Sequence, residues 1–189
     1  MPYRTRRTIK PASMDAARPV EKSVLAEILT DAHWAPSHGM TQPWRFHVFA
    51  GAARQRLADG LLSIYDRLVP PAARNEEKRA KLSALALRSP VVVAVAARVE
   101  PGGKIPEPEE IAATCCAVQN LMLSAHGHGL GSFWATPPVT RSAEFAAWLG
   151  LDDTHRMLGV VALGYPLPGK IPPPPPRHPL EQHVVWHDE

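Results

Sequence analysis

Apolar residues recur three and four positions apart over much of this sequence, which is the spacing of a helix with one buried face. The spacing is clearest over residues 20–35, and Pro36 ends it because a proline disfavours the helical conformation of the residue before it. The same periodicity, or an Ala/Leu-rich composition, predicts four further helices. They span residues 52–68, 73–88, 109–126 and 140–150.

Strand patterns separate the predicted helices. The segment WRFHVFA, residues 44–50, alternates from position to position as a strand does. The valine-rich run PVVVAVAARV, residues 90–99, is typical of a strand buried on both faces and predicts the centre of the sheet. Shorter aromatic and apolar segments, GSFWATPP and MLGVVALGYP, predict two more strands. The elements together predict helices packed on a small mixed sheet.

Two segments indicate contacts beyond the chain itself. Residues 109–126 are almost wholly apolar or small after an acidic first turn, which favours burial on nearly every side and, in so short a chain, a subunit interface. The tail 170–189 holds a run of five prolines that must be extended, and it ends in Val184, Val185 and Trp186. This arm either docks on another surface, such as the partner subunit, or is a loose tail.

Composition narrows the class of protein. The chain has 189 residues, 45% hydrophobic and 21% charged, which predicts one domain over residues 1–189 with a packed core. The net charge of +3 comes from scattered basic residues, so we expect no nucleic-acid partner. No apolar stretch is long enough for a membrane helix and the start is polar, so we expect no membrane association and a cytoplasmic protein. Adjacent Cys115 and Cys116 suit neither a mutual disulfide nor zinc, and we interpret them as small core residues.

Candidate chemistry is concentrated near the amino terminus and in two loops. The segment Arg6-Arg7-Thr8-Ile9-Lys10 offers the donors that a phosphate requires, although a solvated basic arm is an alternative. The loop SHGMTQPW brings polar groups to the start of a strand, as at many ligand sites. The glycines of HGHGLG follow a helix, which excludes a dinucleotide-binding fingerprint, and the histidines lack the matching ligands of a metal site. Without an evident nucleophile, the pattern favours an enzyme whose cofactor performs the reaction.

Three segments in register resemble the motifs of one family. RRTIK, APSHGMTQPWRFHVF and QNLMLSAHGHGLGSFW resemble the Arg-Arg-Ser, Ala-Pro-Ser…Gln-Pro-Trp and helix-Gly-Leu-Gly motifs of the nitroreductase family, most closely its small YdjA-like branch. The resemblance implies an α+β sandwich, in which helices flank a small mixed or antiparallel sheet and an extended carboxyl-terminal arm follows. It also implies a homodimer that binds two FMN molecules at its subunit interface.

Ten positions match cofactor-binding positions of that family. Arg6, Arg7 and Thr8 match the motif that holds the FMN phosphate and ribityl chain, and Lys10 matches a position near the pyrimidine edge of the flavin. The others match a loop reaching FMN from the second subunit and a backbone stretch against the flavin: Trp34, where the branch often has an arginine, Ser37 and His38, then Trp134, Ala135, which replaces a basic residue, and Thr136.

The implied activity is hydride transfer from NADH or NADPH to FMN, and from there to a small electron acceptor such as a nitro compound or a quinone. One shared pocket implies ping-pong kinetics, and no catalytic side chain is expected. Three alternatives stay open: a flavin-dependent dehalogenase or flavin-fragmenting relative, a non-enzymatic FMN-binding or interaction protein, and a soluble α/β domain with a basic arm and no cofactor.

Overall fold

The sheet has four antiparallel strands in the order β1-β2-β4-β3. A computed structural model of the protein describes residues 2–188. The strands span Trp44–Ala50 (β1), Val91–Arg98 (β2), Gly131–Ala135 (β3) and His155–Gly164 (β4). Strand β2 lies in the centre, as its valine-rich sequence predicts, because its alternate side chains enter two different apolar clusters.

Helices cover both faces of the sheet, as predicted. Two of them, Lys22–His33 (α2) and Glu107–Gly127 (α5), pack on one face, and Ala53–Leu68 (α3), Glu76–Leu87 (α4) and Ala143–Trp148 (α6) pack on the other. A four-residue helix, Pro2–Thr5 (α1), precedes them. Helices α2 and α5 are also joined by a hydrogen bond of 2.6 Å from the Ser124 hydroxyl to the Asp31 carboxylate. The predicted α+β architecture is therefore confirmed.

Capping side chains set two helix starts that hydrophobic spacing places too early. The helix predicted over 73–88 begins at Glu76, because the Asn75 side chain accepts a hydrogen bond from the amide of Lys78. The helix predicted over 140–150 is shorter, because Ser142 caps α6 in the same way and a 3₁₀ turn, Pro138–Arg141, precedes it. Strand β1 has the predicted bounds.

Helix α5 keeps an exposed stripe within the single chain, so the prediction of burial on nearly every side is wrong at this level. Ala112, Cys116 and Gln119 are exposed while the opposite face is buried. The interpretation of both cysteines as core residues is likewise wrong for Cys116. Cys115 is half-buried, and burial together with the neighbouring Cys116 raises the pKa of its thiol. Both thiols are free.

The carboxyl-terminal arm leaves the fold beside the amino-terminal segment. Pro166 forms a β-bridge with Met14, and the amide of Leu167 donates to the carbonyl of Ser13 at 2.9 Å. Beyond this anchor the chain is largely extended, and Val185 and Trp186 are more than three-quarters exposed. The apolar end therefore finds little cover on its own chain. Across residues 2–188, no helix combines the length and the apolar character needed to span a membrane.

Candidate functional site

The predicted phosphate-binding segment lies along the edge of β3. The amide of Ile9 donates to the carbonyl of Ser132 at 3.0 Å, and Thr8 forms a parallel bridge with Ser132. Gly131 permits this approach, since a Cβ added there would lie 2.6 Å from the Cβ of Ile9. At the other end of the segment, Thr5 Oγ1 lies 2.8 Å from Nε2 of His126 in the last turn of α5. Arg6 to Thr8 are thus held between a helix end and a strand.

The helix-Gly-Leu-Gly motif forms the junction between α5 and β3. Its glycines have structural roles there that do not involve a dinucleotide. Gly129 has φ +76° and ends α5, where its amide donates to the carbonyl of His126 and that of Leu130 donates to the carbonyl of Ala125. Leu130 is buried, and Gly131 begins β3 against the amino-terminal segment. The motif therefore turns the chain from α5 into the strand that carries Trp134 and Ala135 of the predicted site.

Arg6 and Arg7 bring two neighbouring guanidinium groups to this edge of the sheet. Burial lowers the pKa of the Arg6 guanidinium, and the nearby charges of Arg177 and Arg7 lower it further. Arg7 is tied to its own segment, because its Nη1 donates to the carbonyls of Arg4 at 2.7 Å and Arg6 at 2.9 Å. Within residues 2–188, neither Arg6, Arg7 nor Arg177 forms an ion pair. This concentration of uncompensated positive charge favours an anion.

Sequence reasoning missed one residue of this region. Ser132 is 2% exposed and its Oγ is a buried polar atom with no hydrogen-bond partner among the described residues. An unsatisfied buried hydroxyl is costly, by about 1–3 kcal/mol. It leaves unused hydrogen-bonding capacity beside the predicted phosphate-binding segment.

Trp134, Ala135 and Thr136 continue from this junction along β3 and out of its end. Opposite them, β4 carries a bulge: Val95 pairs with Gly159 and Ala96 with Met157, which leaves Leu158 as an extra residue. Its carbonyl accepts a hydrogen bond of 2.9 Å from the indole Nε1 of Trp134. The Trp134 side chain therefore has a structural role, and the backbone of this stretch is what the site can use.

We predict that Trp134→Phe lowers the free energy of unfolding by about 1–2 kcal/mol, since the bulge carbonyl loses its donor while the ring is kept. Urea titration measures the change. Trp34→Phe makes the same exchange at a side chain that is 80% exposed and should leave stability within about 0.5 kcal/mol of the parent. Equal stability of Trp134→Phe and the parent would show that the indole bond contributes nothing.

The second predicted group lies at the start of α5. Nδ1 of His38 is 2.6 Å from the Glu109 carboxylate, and the Ser37 hydroxyl accepts from the amide of Gln42 at 3.2 Å. The loop is strained, because Met40 and Gln42 have backbone φ angles of +57° and +47°, values that residues other than glycine seldom adopt. A small hollow of about 250 Å³ opens between this loop and the exposed stripe of α5.

Two tryptophans near this loop differ in role. Trp34 follows the last turn of α2 and is 80% exposed. Within one chain, its indole is therefore open to solvent. Trp44 is buried, and its Nε1 lies 3.1 Å from Nδ1 of His33 in that same turn. The indole of the Gln-Pro-Trp segment thus joins β1 to α2 and serves the fold.

The two predicted groups lie at opposite ends of α5. Thr5 is bonded to His126 in its last turn, whereas His38 is bonded to Glu109 in its first. The two helix positions are 17 residues apart in number, or about 26 Å at 1.5 Å per residue. The structure therefore places Arg6, Arg7 and Thr8 beside the strand that carries Trp134 and Ala135, with Lys10 exposed just beyond. It keeps Ser37 and His38 away from them within one chain.

A larger groove, of about 720 Å³, lies on the other face of the sheet between β1, α3 and α6. Its walls include Trp148 and His47. Burial, and after it the charge of His155, lowers the pKa of His47. The groove shares no residue with the predicted site.

The comparisons with known proteins agree with the fold and the motifs. The model of the nitroreductase family matches residues 3–165, so the chain belongs to the nitroreductase family, whose members are oxidoreductases. YdjA of Escherichia coli (strain K12), provisionally named an NAD(P)H nitroreductase, is 27% identical over 142 residues, which cover 75% of each chain.

Two solved structures show how much of the chain the family fold accounts for. A nitroreductase-like family protein from Bacillus cereus is 29% identical, with a TM-score of 0.82 over 100% of this chain and 95% of its own. The FMN-dependent nitroreductase NfnB from Mycobacterium smegmatis, solved in complex with NADPH, has a TM-score of 0.75 at 20% identity, covering 98% and 96% of the two chains.

Proposed function

We propose that this oxidoreductase binds FMN and transfers hydride equivalents from NADH or NADPH to a small electron acceptor, such as a nitro compound or a quinone. The observation that carries the proposal is the segment from Arg6 to Thr8 at the edge of β3, where neither arginine forms an ion pair with a described residue. A phosphomonoester matches the planar, bidentate donors of a guanidinium group. The names of family members that depend on FMN and NAD(P)H support the same choice.

The chemistry of the residues at the β3 edge fits the flavin nucleotide. Arg6 and Arg7 would hold the phosphate, and Thr8 would donate to it or to the ribityl chain. The exposed Lys10 would lie toward the ring, where its charge favours electron density on the cofactor. The unsatisfied Ser132 hydroxyl shows that this junction has hydrogen-bonding capacity to spare. Bound FMN would supply the redox chemistry, accepting a hydride equivalent and passing its electrons on.

The protein's own residues would position the reactants. The backbone from Trp134 to Thr136 would form the wall against which the ring lies, and the bulge on β4 fixes this wall through the Trp134 indole. Rigid support of this kind keeps donor and acceptor in reach of one reactive centre, which is the main contribution a protein makes to cofactor chemistry. No side chain is proposed as a catalytic acid or base.

We propose a homodimer in which each site takes residues from both subunits. Ser37 and His38 lie at the start of α5, about 26 Å along the helix from the turn that contacts Thr5 beside the arginines, which is too far for one FMN to contact both groups in one chain. A second copy that packs on the exposed stripe of α5 could bring its own Ser37–His38 loop to the arginines of the first copy. A single domain over residues 1–189 and a cytoplasmic location stay predictions.

Initial-rate kinetics with FMN-loaded protein test the proposed activity. If donor and acceptor use one pocket in turn, double-reciprocal plots at several acceptor concentrations should give parallel lines, as expected for a ping-pong mechanism. Intersecting lines would contradict the shared pocket. Nicotinamide oxidation that is matched by release of halide from a halogenated acceptor would favour a dehalogenase, and fragmentation of the reduced flavin would favour a flavin-fragmenting enzyme.

A further inference from the structure

The groove between β1, α3 and α6 shares no residue with the proposed FMN site. Its volume of about 720 Å³ is within the range of roughly 300–1,000 Å³ that small-molecule sites occupy. Residues 47–49 of β1 and Trp148 at the end of α6 form part of its lining. Helix α3 contributes one face, on which four residues recur at spacings of three and four: Arg56, Asp59, Gly60 and Ser63. The groove therefore combines charged, hydroxyl and aromatic groups.

Gly60 allows Trp148 to lie directly against α3. A Cβ added at Gly60 would lie 2.6 Å from Cε2 of the indole, so a larger residue there would displace the ring. Glycine inside a helix is unfavourable because it loses more backbone entropy on folding than other residues do. Trp148 also stacks on Phe49, with ring centroids 5.8 Å apart, and still leaves 36% of its surface exposed. The groove thus holds an aromatic ring in a fixed position that a ligand can reach.

Arg56 and Asp59 bring one positive and one negative charge to the same face of α3. They are separated by about 4.5 Å along the helix axis, yet neither forms an ion pair with any described residue. The Asp59 carboxylate accepts one hydrogen bond, of 2.9 Å at Oδ1, from Nε2 of Gln55. Burial, and after it the charge of His155, lowers the pKa of His47, which therefore adds little charge near neutral pH. Two opposite charges are left to face a ligand.

The groups that face the groove match the parts of one class of small molecule. We propose that the groove binds a free aromatic α-amino acid, with its carboxylate on Arg56, its ammonium group on Asp59 and its ring against Trp148. A guanidinium group can hold a carboxylate through two parallel hydrogen bonds, and aromatic rings are stabilised by stacked or edge contacts. Asp59 would repel a second negative charge on the ligand, so a phosphate ester or a dicarboxylate fits the groove less well. The inference goes beyond the proposed function and does not rest on it.

Analogues of L-phenylalanine that each lack one group test the proposed contacts. 3-Phenylpropionate has no ammonium group, phenethylamine has no carboxylate and L-alanine has no ring. Ligand-detected NMR titrations of the full chain give the dissociation constants, and an excess of FMN keeps any flavin site occupied. We expect each analogue to bind about tenfold more weakly than L-phenylalanine, because each loses one charge-assisted or aromatic contact.

Two substitutions assign the charged groups of the ligand to their partners. Arg56→Gln should weaken L-phenylalanine about tenfold without weakening phenethylamine, which has no carboxylate to lose a partner. Asp59→Asn should weaken L-phenylalanine by a similar factor without weakening 3-phenylpropionate. Arg67→Gln is the matched control, because Arg67 is exposed on the same helix and does not line the groove. It should change no affinity more than about twofold.

Several results would overturn the inference. L-Phenylalanine that stays unbound at about 10 mM would exclude this class of ligand from the groove. Equal affinities of L-phenylalanine, 3-phenylpropionate and phenethylamine would show that only the ring is recognised. Equal losses in Arg56→Gln and Arg67→Gln would show diffuse attraction only, and L-phenylalanine binding unchanged in both Arg56→Gln and Asp59→Asn would place the ligand elsewhere on the protein.

Discussion

Arg6→Ala should weaken FMN binding by about 100-fold, the largest effect on the cofactor that we expect from one substitution. Arg6 is half-buried next to Arg7, and no acceptor among the described residues takes its side-chain donors. Its removal takes away a charge-assisted contact of about 1.5–3 kcal/mol and part of the field that holds the phosphate. Flavin fluorescence titration of apoprotein measures the change, and riboflavin affinity should stay close to that of the parent.

Two variants make this prediction specific. Arg4→Ala removes an exposed arginine from the same segment and should leave FMN affinity nearly unchanged. Arg6→Lys keeps the charge and loses the planar fork, so its affinity should lie between those of Arg6→Ala and the parent. FMN affinity of Arg6→Ala equal to that of the parent would contradict the phosphate role assigned to the amino-terminal segment.

Gly159→Ala should cause the largest loss of stability, about 3–5 kcal/mol, which is a large part of the 5–15 kcal/mol typical of a folded domain. Gly159 has φ +103°, a conformation that disfavours any L side chain. An added methyl group would also overlap the carbonyl oxygen of Ala135 and lie 3.0 Å from Cγ2 of Thr136. Because the overlap is with backbone, the bulge or the end of β3 must move. Urea or thermal unfolding measures the loss.

Gly150→Ala is the matched control for this substitution. Gly150 has φ +78° and nothing within 4 Å of an added Cβ, so only the backbone conformation is penalised there, by about 1 kcal/mol. The difference between the two variants is the cost of the overlap at the bulge. Since Ala135 and Thr136 form the proposed wall of the site, Gly159→Ala protein that still folds should also bind FMN less tightly. Equal losses in the two glycine variants would refute the steric argument.

Local patterns predict the parts of this fold that depend on neighbours in sequence. The alternation of residues 44–50 and the apolar run at 90–99 predict β1 and β2 because these signals lie within each segment. The bulge at Leu158 follows from the register between β4 and β2, which no single segment encodes. The residue at which α6 begins depends on a capping side chain, which hydrophobic spacing does not detect.

The predicted site also has parts that one segment of sequence reveals and parts that only contacts between segments reveal. The segment from Arg6 to Thr8 is detectable because its donors are contiguous, and the family resemblance assigns them a ligand. Ser132 is not detectable, because its place beside the site arises from a contact across the chain, at the strand edge that Ile9 occupies. That Ser37 and His38 lie at the far end of α5 from the arginines also needs the structure.

If this chain holds FMN and a reduced nicotinamide reduces it there, the absorbance spectrum of the purified protein reveals both steps. The spectrum is recorded after addition of FMN and desalting, and again after addition of NADPH or NADH without oxygen. We expect protein that stays yellow through desalting and bleaches when the donor is added. Colourless protein after desalting, or bound flavin that stays oxidised with both donors, would contradict this expectation.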